Sequence, residues 1–157
     1  MASSGRSAKV AGAKYERELV DALVKLGYTA ERVYASGALG TYFKRKGKQV
    51  SQDLSEDVIL RYDKDGINHK VLVEVKYRSK TFPKWLTQLD NPTRIANYVF
   101  FPGVDIPSYL SMAETITESK NYSVNMFDGL IGEAQVLALR FPKRNTANKT
   151  GWVIAIP

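Results

Sequence analysis

A carboxylate and an ammonium group lie two residues apart inside an apolar stretch of the chain. Glu74 and Lys76 alternate with apolar residues in the run Val71–Tyr77. Because successive side chains of a β-strand point to opposite faces, Glu74 and Lys76 share one face of the predicted strand. A Glu-x-Lys pair is weak evidence on its own, since a solvated sheet face with a cross-strand ion pair gives the same pattern.

A second carboxylate, Asp57, begins the preceding predicted strand, and the pair Asp65-Gly66 separates the two strands. This pair is a strong signal for a hairpin turn, and counting back from it places Asp57 opposite Glu74, to within about one residue. Two neighbouring carboxylates repel each other unless a proton or a metal ion lies between them. Such oxygen ligands suit Mg²⁺, and Lys76 beside them can hold a nucleophilic water or offset charge on a pentavalent phosphate.

Two further acids are alternatives to Asp57 for a metal-binding role. Asp53 lies in the predicted loop before the strand. Glu56 comes directly before Asp57 and would point to the opposite face of the sheet. The pattern therefore predicts a site of acidic side chains and a lysine. Asp57, Asp53 and Glu56 remain alternatives for one of its metal-binding acids.

Glu16 lies on the apolar side of a predicted helix over residues 11–25. At about 100° per residue it falls inside the apolar stripe, whereas Glu18 and Asp21 fall elsewhere and can be solvated. A buried carboxylate needs a partner, because an unpaired buried charge is costly. The alternative is a first-turn glutamate that is stabilised by the helix dipole while its carboxylate reaches solvent.

Positive charge is concentrated in the first part of the chain. The protein has 157 residues and a net charge of +7; residues 1–84 hold 17 Lys and Arg against 10 Asp and Glu, and residues 85–157 hold 6 of each. A basic surface of this kind indicates a polyanionic partner, most often nucleic acid. A basic surface that serves only solubility is the alternative.

A predicted loop over residues 37–52 contains three glycines, four cations and no acid. Its cations are Lys44, Arg45, Lys46 and Lys48. The loop connects Ser36 to the predicted strand at Asp57, so both of its ends lie near the predicted site. It is either a solvated loop or a clamp on a nucleic-acid backbone, and its position favours the clamp.

Hydrophobic periodicity and turn signals predict one α/β domain over residues 11–157, preceded by a mobile basic arm over residues 1–10. We expect a central mixed β-sheet flanked by helices. The predicted elements are a helix over 11–25, strands over 28–34, 57–62 and 70–77, a short helix over 83–89, a strand over 98–101, a helix over 107–118, and strands over 134–141 and 152–156.

Composition excludes several kinds of chemistry. The chain has no cysteine and one histidine, His69. Thiol nucleophiles, cysteine-ligated metals and disulfides are therefore excluded, and a serine–histidine–aspartate triad is disfavoured. No apolar run approaches the ~18 residues of a membrane span, and no secretory signal begins the chain, so we expect an intracellular protein.

The ordered set of an inward helix glutamate, an aspartate and a Glu-x-Lys strand resembles the PD-(D/E)XK nuclease superfamily. Within it, the runs Tyr15–Val20, Arg32–Gly37 and Glu74–Arg78 are similar to the archaeal-type Holliday-junction resolvases. That family also has members encoded by bacteriophages. The resemblance covers roughly residues 11–80, and the combination of the three runs is more specific than any one of them. One departure is Glu56, which stands where the motif usually has proline.

The resemblance implies a role for each matching residue. Glu16, Asp57 and Glu74 become metal-binding carboxylates, with Glu16 also counted as catalytic, and the Val75 carbonyl completes the metal shell. Lys76 becomes the catalytic lysine, and Ser36 becomes a catalytic or phosphate-contacting serine. The residues expected to contact DNA are Arg32, Lys44, Arg45, Lys46, Lys48, Arg78 and Lys80.

The resemblance also implies a restriction-endonuclease-like fold and an activity. We expect a Mg²⁺-dependent endonuclease, with Mn²⁺ as a possible substitute, that resolves four-way DNA junctions by paired phosphodiester hydrolysis as a homodimer. No membrane and no small-molecule substrate are expected as partners, and the expected location is the cytoplasm, that of the host if the chain is phage-encoded. The alternatives are another nuclease of the superfamily, of restriction or nicking type, and a DNA-binding module without catalysis.

Overall fold

The computed structural model describes residues 5–33, 57–79, 83–115 and 136–157. These residues form three α-helices, seven β-strands and one short 3₁₀ turn. The helices are α1 (Gly5–Lys25), α2 (Lys84–Thr87) and α3 (Ile106–Thr115), and the 3₁₀ turn is Lys143–Asn145. The strands are β1 (Thr29–Arg32), β2 (Val58–Lys64), β3 (Ile67–Tyr77), β4 (Thr93–Ile95), β5 (Tyr98–Pro102), β6 (Val136–Arg140) and β7 (Trp152–Ile156).

The strands form one mixed sheet in the order β1-β2-β3-β6-β7-β5-β4. Strands β3 and β6 are parallel, with Val73 opposite Val136 and Tyr77 opposite Arg140. The other described pairings are antiparallel. The prediction of a single α/β domain with a central mixed sheet and flanking helices is therefore confirmed.

Helices α1 and α3 cover one face of the sheet. Leu19 and Leu23 of α1 and Ile106 at the start of α3 are fully buried. They pack with inward side chains of β2, β3, β5, β6 and β7 in one apolar cluster. The alternation of side chains along β3 places Val73 in this cluster and turns Glu74 toward the other face.

The opposite face of the sheet has a second apolar cluster. Leu86 of α2 packs there with Leu137 and Leu139 of β6 and with Phe100 of β5. Glu74 and Lys76 lie opposite Leu137 and Leu139 in the parallel pairing of β3 with β6. Since paired residues share a face, the Glu-x-Lys pair borders this second cluster.

The hairpin between β2 and β3 turns at Asp65 and Gly66, as predicted. Both residues have positive φ, at 54° and 76°. A two-residue turn of this hand matches the twist of the two strands and fixes their register. The register pairs Val58 with Val73 and Lys64 with Ile67.

Several boundaries differ from the predictions. Helix α1 begins at Gly5, so residues 5–10, which we expected in a mobile arm, are helical. Strand β3 begins at Ile67, three residues before the predicted start at Lys70. The three-residue strand β4 was not predicted; it pairs with β5 through a tight turn. No helix among the described residues has the length and apolar character needed to cross a bilayer.

Candidate active site

Asp57 lies beside the end of β3, because the hairpin register brings it there. The register of the hairpin ends with Val58 opposite Val73, and Asp57 directly precedes Val58. The Asp57 N–H donates to the Val73 carbonyl over 3.2 Å. The Asp57 Oδ2 in turn accepts a 2.8 Å hydrogen bond from the Val75 N–H. Asp57 therefore lies within about one residue of the position opposite Glu74, and its carboxylate lies against the backbone of the Glu-x-Lys strand.

Glu74 and Lys76 form an ion pair on their shared face. The Lys76 Nζ lies 2.9 Å from the Glu74 Oε1, and the two side chains are 34% and 25% exposed, respectively. Both groups therefore keep contact with water while they border the apolar cluster of β6. A solvent-accessible carboxylate and ammonium beside Asp57 is the arrangement that the sequence pattern predicts.

Glu16 reaches the same site from α1. Its side chain is 14% exposed, and its Oε2 accepts a 3.1 Å hydrogen bond from the Arg32 Nη2. The reading of Glu16 as a first-turn glutamate is wrong, because α1 begins at Gly5 and its first turn contains no acid. Arg32, expected as a DNA contact, is itself largely buried at 15% exposure and pairs with this carboxylate.

The pKa values of Glu16 and Asp57 are both raised. Burial is the main cause for each carboxyl, since loss of solvent disfavours the charged form. The Asp57 charge raises the pKa of Glu16 further, against the opposing effect of Arg32. The Glu74 charge likewise raises the pKa of Asp57, against the Val75 N–H and Lys76. Asp57 therefore lies between two other carboxyls and interacts with each of them, with Glu16 of α1 on one side and with Glu74 of β3 on the other.

The donor set suits a hard divalent cation. Carboxylate oxygens with a hydrated outer shell are the ligands that Mg²⁺ prefers. Among the described residues, no three Asp, Glu or His side chains lie close enough together to bind a metal ion in this conformation. In this conformation the Glu16 carboxylate is paired with Arg32, and the Glu74 carboxylate is paired with Lys76.

Helix α1 is fixed on the sheet by contacts on both sides of Glu16. The Tyr15 ring stacks on the Tyr77 ring with centroids 4.3 Å apart, and the Arg140 guanidinium lies 4.9 Å from the Tyr15 centroid. Arg140 also donates to both carboxylate oxygens of Glu18, over 3.1 and 3.2 Å. Glu18, which its place on the helix allows to be solvated, is 29% exposed and is also paired with Arg140. We call the group Tyr15, Tyr77, Glu18 and Arg140 the α1 clamp.

Arg140 is the buried centre of the α1 clamp, at 6% exposure on strand β6. Its guanidinium also donates to the Phe141 carbonyl. Gly151, with φ of +79°, leaves the space for it, because a Cβ at residue 151 would meet both the guanidinium and the Phe141 carbonyl. A lone arginine in the apolar run of β6 was the sequence signal for this contact, and it was missed.

Arg78 lies just beyond the end of β3. Its backbone N–H donates to the Arg140 carbonyl over 2.9 Å, and its Nη1 donates to the Tyr77 carbonyl over 2.9 Å. The half-buried Arg78 side chain is therefore at the same end of the sheet as Lys76 and Asp57. Its expected contact with DNA stays a prediction.

Several predicted site residues lie outside the described residues. They are Ser36, the loop cations Lys44, Arg45, Lys46 and Lys48, the alternative acids Asp53 and Glu56, and Lys80. The structure brings together Glu16, Arg32, Asp57, Glu74 and Lys76, with Val75 holding Asp57 through its N–H. No protein-family model matches the chain, and no curated protein matches it.

Proposed function

We propose that the protein is a Mg²⁺-dependent, structure-specific DNA endonuclease that resolves four-way junctions. The observation that carries this proposal is the meeting of Glu16, Asp57, Glu74 and Lys76 at one end of the β2–β3 hairpin. Two carboxyls that each interact with Asp57, beside a solvent-accessible lysine, suit hydrolysis of a phosphodiester. Groups with perturbed pKa values that cluster at one place are candidates for a functional site.

Glu16, Asp57 and Glu74 would hold Mg²⁺, with the Val75 carbonyl as a further ligand by resemblance. When bound, the cation supplies positive charge beside the scissile phosphate and makes a water more acidic. The Val75 N–H holds the Asp57 carboxylate in a fixed orientation through its 2.8 Å hydrogen bond. The ligand set is thereby partly oriented before substrate binds.

Lys76 would act on the reacting groups directly. It is 34% exposed, so it can leave Glu74 and reach a phosphate oxygen or the attacking water. An ammonium in that place offsets the negative charge that develops on the phosphate. Arg32 is less exposed and holds Glu16, so we assign it to orienting that carboxylate rather than to substrate.

A four-way junction fits the charge pattern of the chain. The net charge of +7 favours phosphate contacts, which fix orientation on DNA without reading sequence. Recognition of a branched shape needs no base-edge readout. A junction has two-fold symmetry and needs two matched cuts, and a symmetric homodimer would supply two sites in that relation.

The test is cleavage of a synthetic four-way junction, with a linear duplex of the same sequence as the matched substrate. With Mg²⁺ we expect paired nicks in opposite strands of the junction and an intact duplex on a denaturing gel. Ca²⁺ should support binding with little cutting. The control variant is Asp63→Asn, which changes an exposed carboxylate of β2 away from the site and should cut as wild type does. Full cleavage in EDTA would overturn the metal requirement.

The ion pairs of the site favour one other function, a DNA-binding module without catalysis. Glu16 with Arg32 and Glu74 with Lys76 are both paired at about 3 Å, as structural carboxylates would be. Such a module would bind the junction in the same assay and leave it uncut in Mg²⁺ and in Mn²⁺. Sequence-dependent cuts in the linear duplex would instead indicate a restriction-type or nicking enzyme.

A further inference from the structure

The turn between β6 and β7, residues 141–151, carries three exposed cations and no acid. They are Lys143, Arg144 and Lys149. No Asp or Glu occurs anywhere in residues 136–157. Among the described residues, none of the three cations forms an ion pair. The neutral total of the second half of the sequence therefore conceals a positively charged surface, which we call the carboxy-terminal turn.

The carboxy-terminal turn lies at the same end of the sheet as the candidate site. Strands β3 and β6 are parallel and in register, with Lys76 opposite Leu139, so both strands end there. The turn follows β6 directly. It is bonded to α2, since the Ala147 N–H donates to the Thr87 carbonyl over 3.0 Å. Helix α2 covers the face on which Glu74 and Lys76 lie, so the turn borders the site on that face.

The backbone of the turn is held in one conformation. Thr146 is fully buried, donates to the Lys143 carbonyl over 3.0 Å and accepts from the Gly151 N–H over 3.0 Å. The Gln88 side chain of the segment after α2 donates to the Asn145 carbonyl over 2.6 Å. A turn whose backbone is already ordered presents its cations at a smaller entropic cost on binding than a free loop does.

We propose that the carboxy-terminal turn is a second DNA contact, which binds the sugar–phosphate backbone of an arm that leaves the candidate site. This inference rests on the proposed function and adds a binding surface to it. Lys143, Arg144 and Lys149 offer donors to phosphate oxygens, and Arg144 can bind one phosphate through two parallel N–H groups. These contacts orient the arm and read no bases.

The test compares two triple variants that remove equal charge. One is Lys143→Gln, Arg144→Gln and Lys149→Asn; asparagine suits residue 149, whose φ is 59°. The control is Lys25→Gln, Lys64→Gln and Lys70→Gln, of which Lys64 and Lys70 flank the hairpin tip at the opposite end of β2 and β3. Junction affinity is measured in Ca²⁺ at several salt concentrations.

The turn variant should bind the junction at least about tenfold more weakly near 0.1 M salt. Its slope of log affinity against log salt should fall by up to ~0.9 for each lost contact. The control variant should keep the wild-type slope, and the turn variant should melt near the wild-type temperature. An unchanged slope in the turn variant, or an equal loss in both variants, would overturn the inference.

Failure of the inference and failure of the proposed function give different results. A wild-type protein that binds the junction without cutting it in Mg²⁺ overturns the nuclease proposal, and the two slopes still decide the role of the turn. A wild-type protein that binds no DNA overturns both. If the triple variant does not fold, Arg144→Gln alone decides, with an expected loss of slope of up to ~0.9.

Discussion

The two halves of the sheet differ in polarity. Strands β6 and β7 are buried at every residue, and β5 at its three central residues, because both faces of this half are covered. Strands β1 to β3 together contain buried, half-buried and exposed residues, and they supply Arg32, Glu74 and Lys76. One half thus provides a rigid apolar platform, and the other carries the charged groups. We therefore expect substitutions in the apolar half to change stability and substitutions of the charged groups to change activity.

The largest expected effect is on catalysis. Asp57→Asn, Glu74→Gln and Lys76→Ala should each lower the single-turnover cleavage rate by about a hundredfold or more. Junction binding in Ca²⁺ should stay near wild type, because these changes alter the site and leave the apolar clusters intact. Wild-type cleavage by Asp57→Asn alone would transfer the metal-binding role to Asp53.

Glu16→Gln separates a site carboxylate from a structural one. We expect a strong loss of cleavage, because the Glu16 carboxylate lies close enough to Asp57 for the two charges to interact. The measurements are the cleavage rate and the melting temperature of the same preparation. A lower melting temperature with an unchanged rate would show that Glu16 only stabilises the fold through Arg32.

The α1 clamp joins the two halves, so breaking it should affect both. Arg140→Met removes one partner of a largely buried ion pair, which costs about 3–5 kcal/mol of unfolding free energy. It should also reduce cleavage at a temperature where the variant is folded, since α1 carries Glu16. The double variant Glu18→Gln with Arg140→Met should lose less than the sum of the single variants. Additive losses in urea denaturation would contradict the clamp.

A platform residue should change stability alone. Leu139 is 1% exposed and lies opposite Lys76 across β3 and β6. Leu139→Ala should lower the unfolding free energy by about 2–5 kcal/mol, through lost apolar contact and the cavity that remains. Cleavage well below the melting temperature should stay within a few-fold of wild type. A rate loss as large as that of Lys76→Ala would show that the platform is not separable from the site.

The smallest expected effect is a stability gain. The pKa of Asp57 is raised in the folded protein above its ordinary value of 3.8. Folding therefore binds a proton, and this contribution to stability is present below the ordinary value and is lost as the pH rises through the folded pKa. Asp57→Asn does not titrate, so its melting temperature relative to wild type should rise by a few degrees at most between pH 4 and pH 7. A relative fall over that range would contradict the raised pKa.

Local signals predicted most of the platform and the hairpin. The apolar runs of β6 and β7 predicted these two strands. The Asp65-Gly66 turn predicted the β2–β3 hairpin and the register that brings Asp57 close to Glu74. Periodicity also placed Glu16 on the inner side of α1. Strand β4 was not predicted because three residues are too few to show a strand pattern. The strand is defined by its pairing with β5.

Contacts between distant parts of the chain could not be predicted. Glu18 meets Arg140 across 122 residues, and no periodicity of α1 encodes that partner. The basic character of the carboxy-terminal turn is visible in the sequence, whereas its place at the end of the sheet that holds the candidate site follows only from the parallel pairing of β3 with β6. Sequence patterns fix which side of an element is apolar, whereas the partner of a half-buried charge depends on the whole topology.

The parallel pairing of β3 with β6 also sets the order in which the molecule is completed during synthesis. The β2–β3 hairpin closes between neighbouring residues, whereas Val73 must wait for Val136 to leave the ribosome. Chains are made from the amino terminus, and nearby contacts form before distant ones. Glu18 gains Arg140 only after a further 122 residues have been made. The growing chain therefore carries the hairpin with Asp57, Glu74 and Lys76 before the Glu18–Arg140 contact can hold α1 on the sheet.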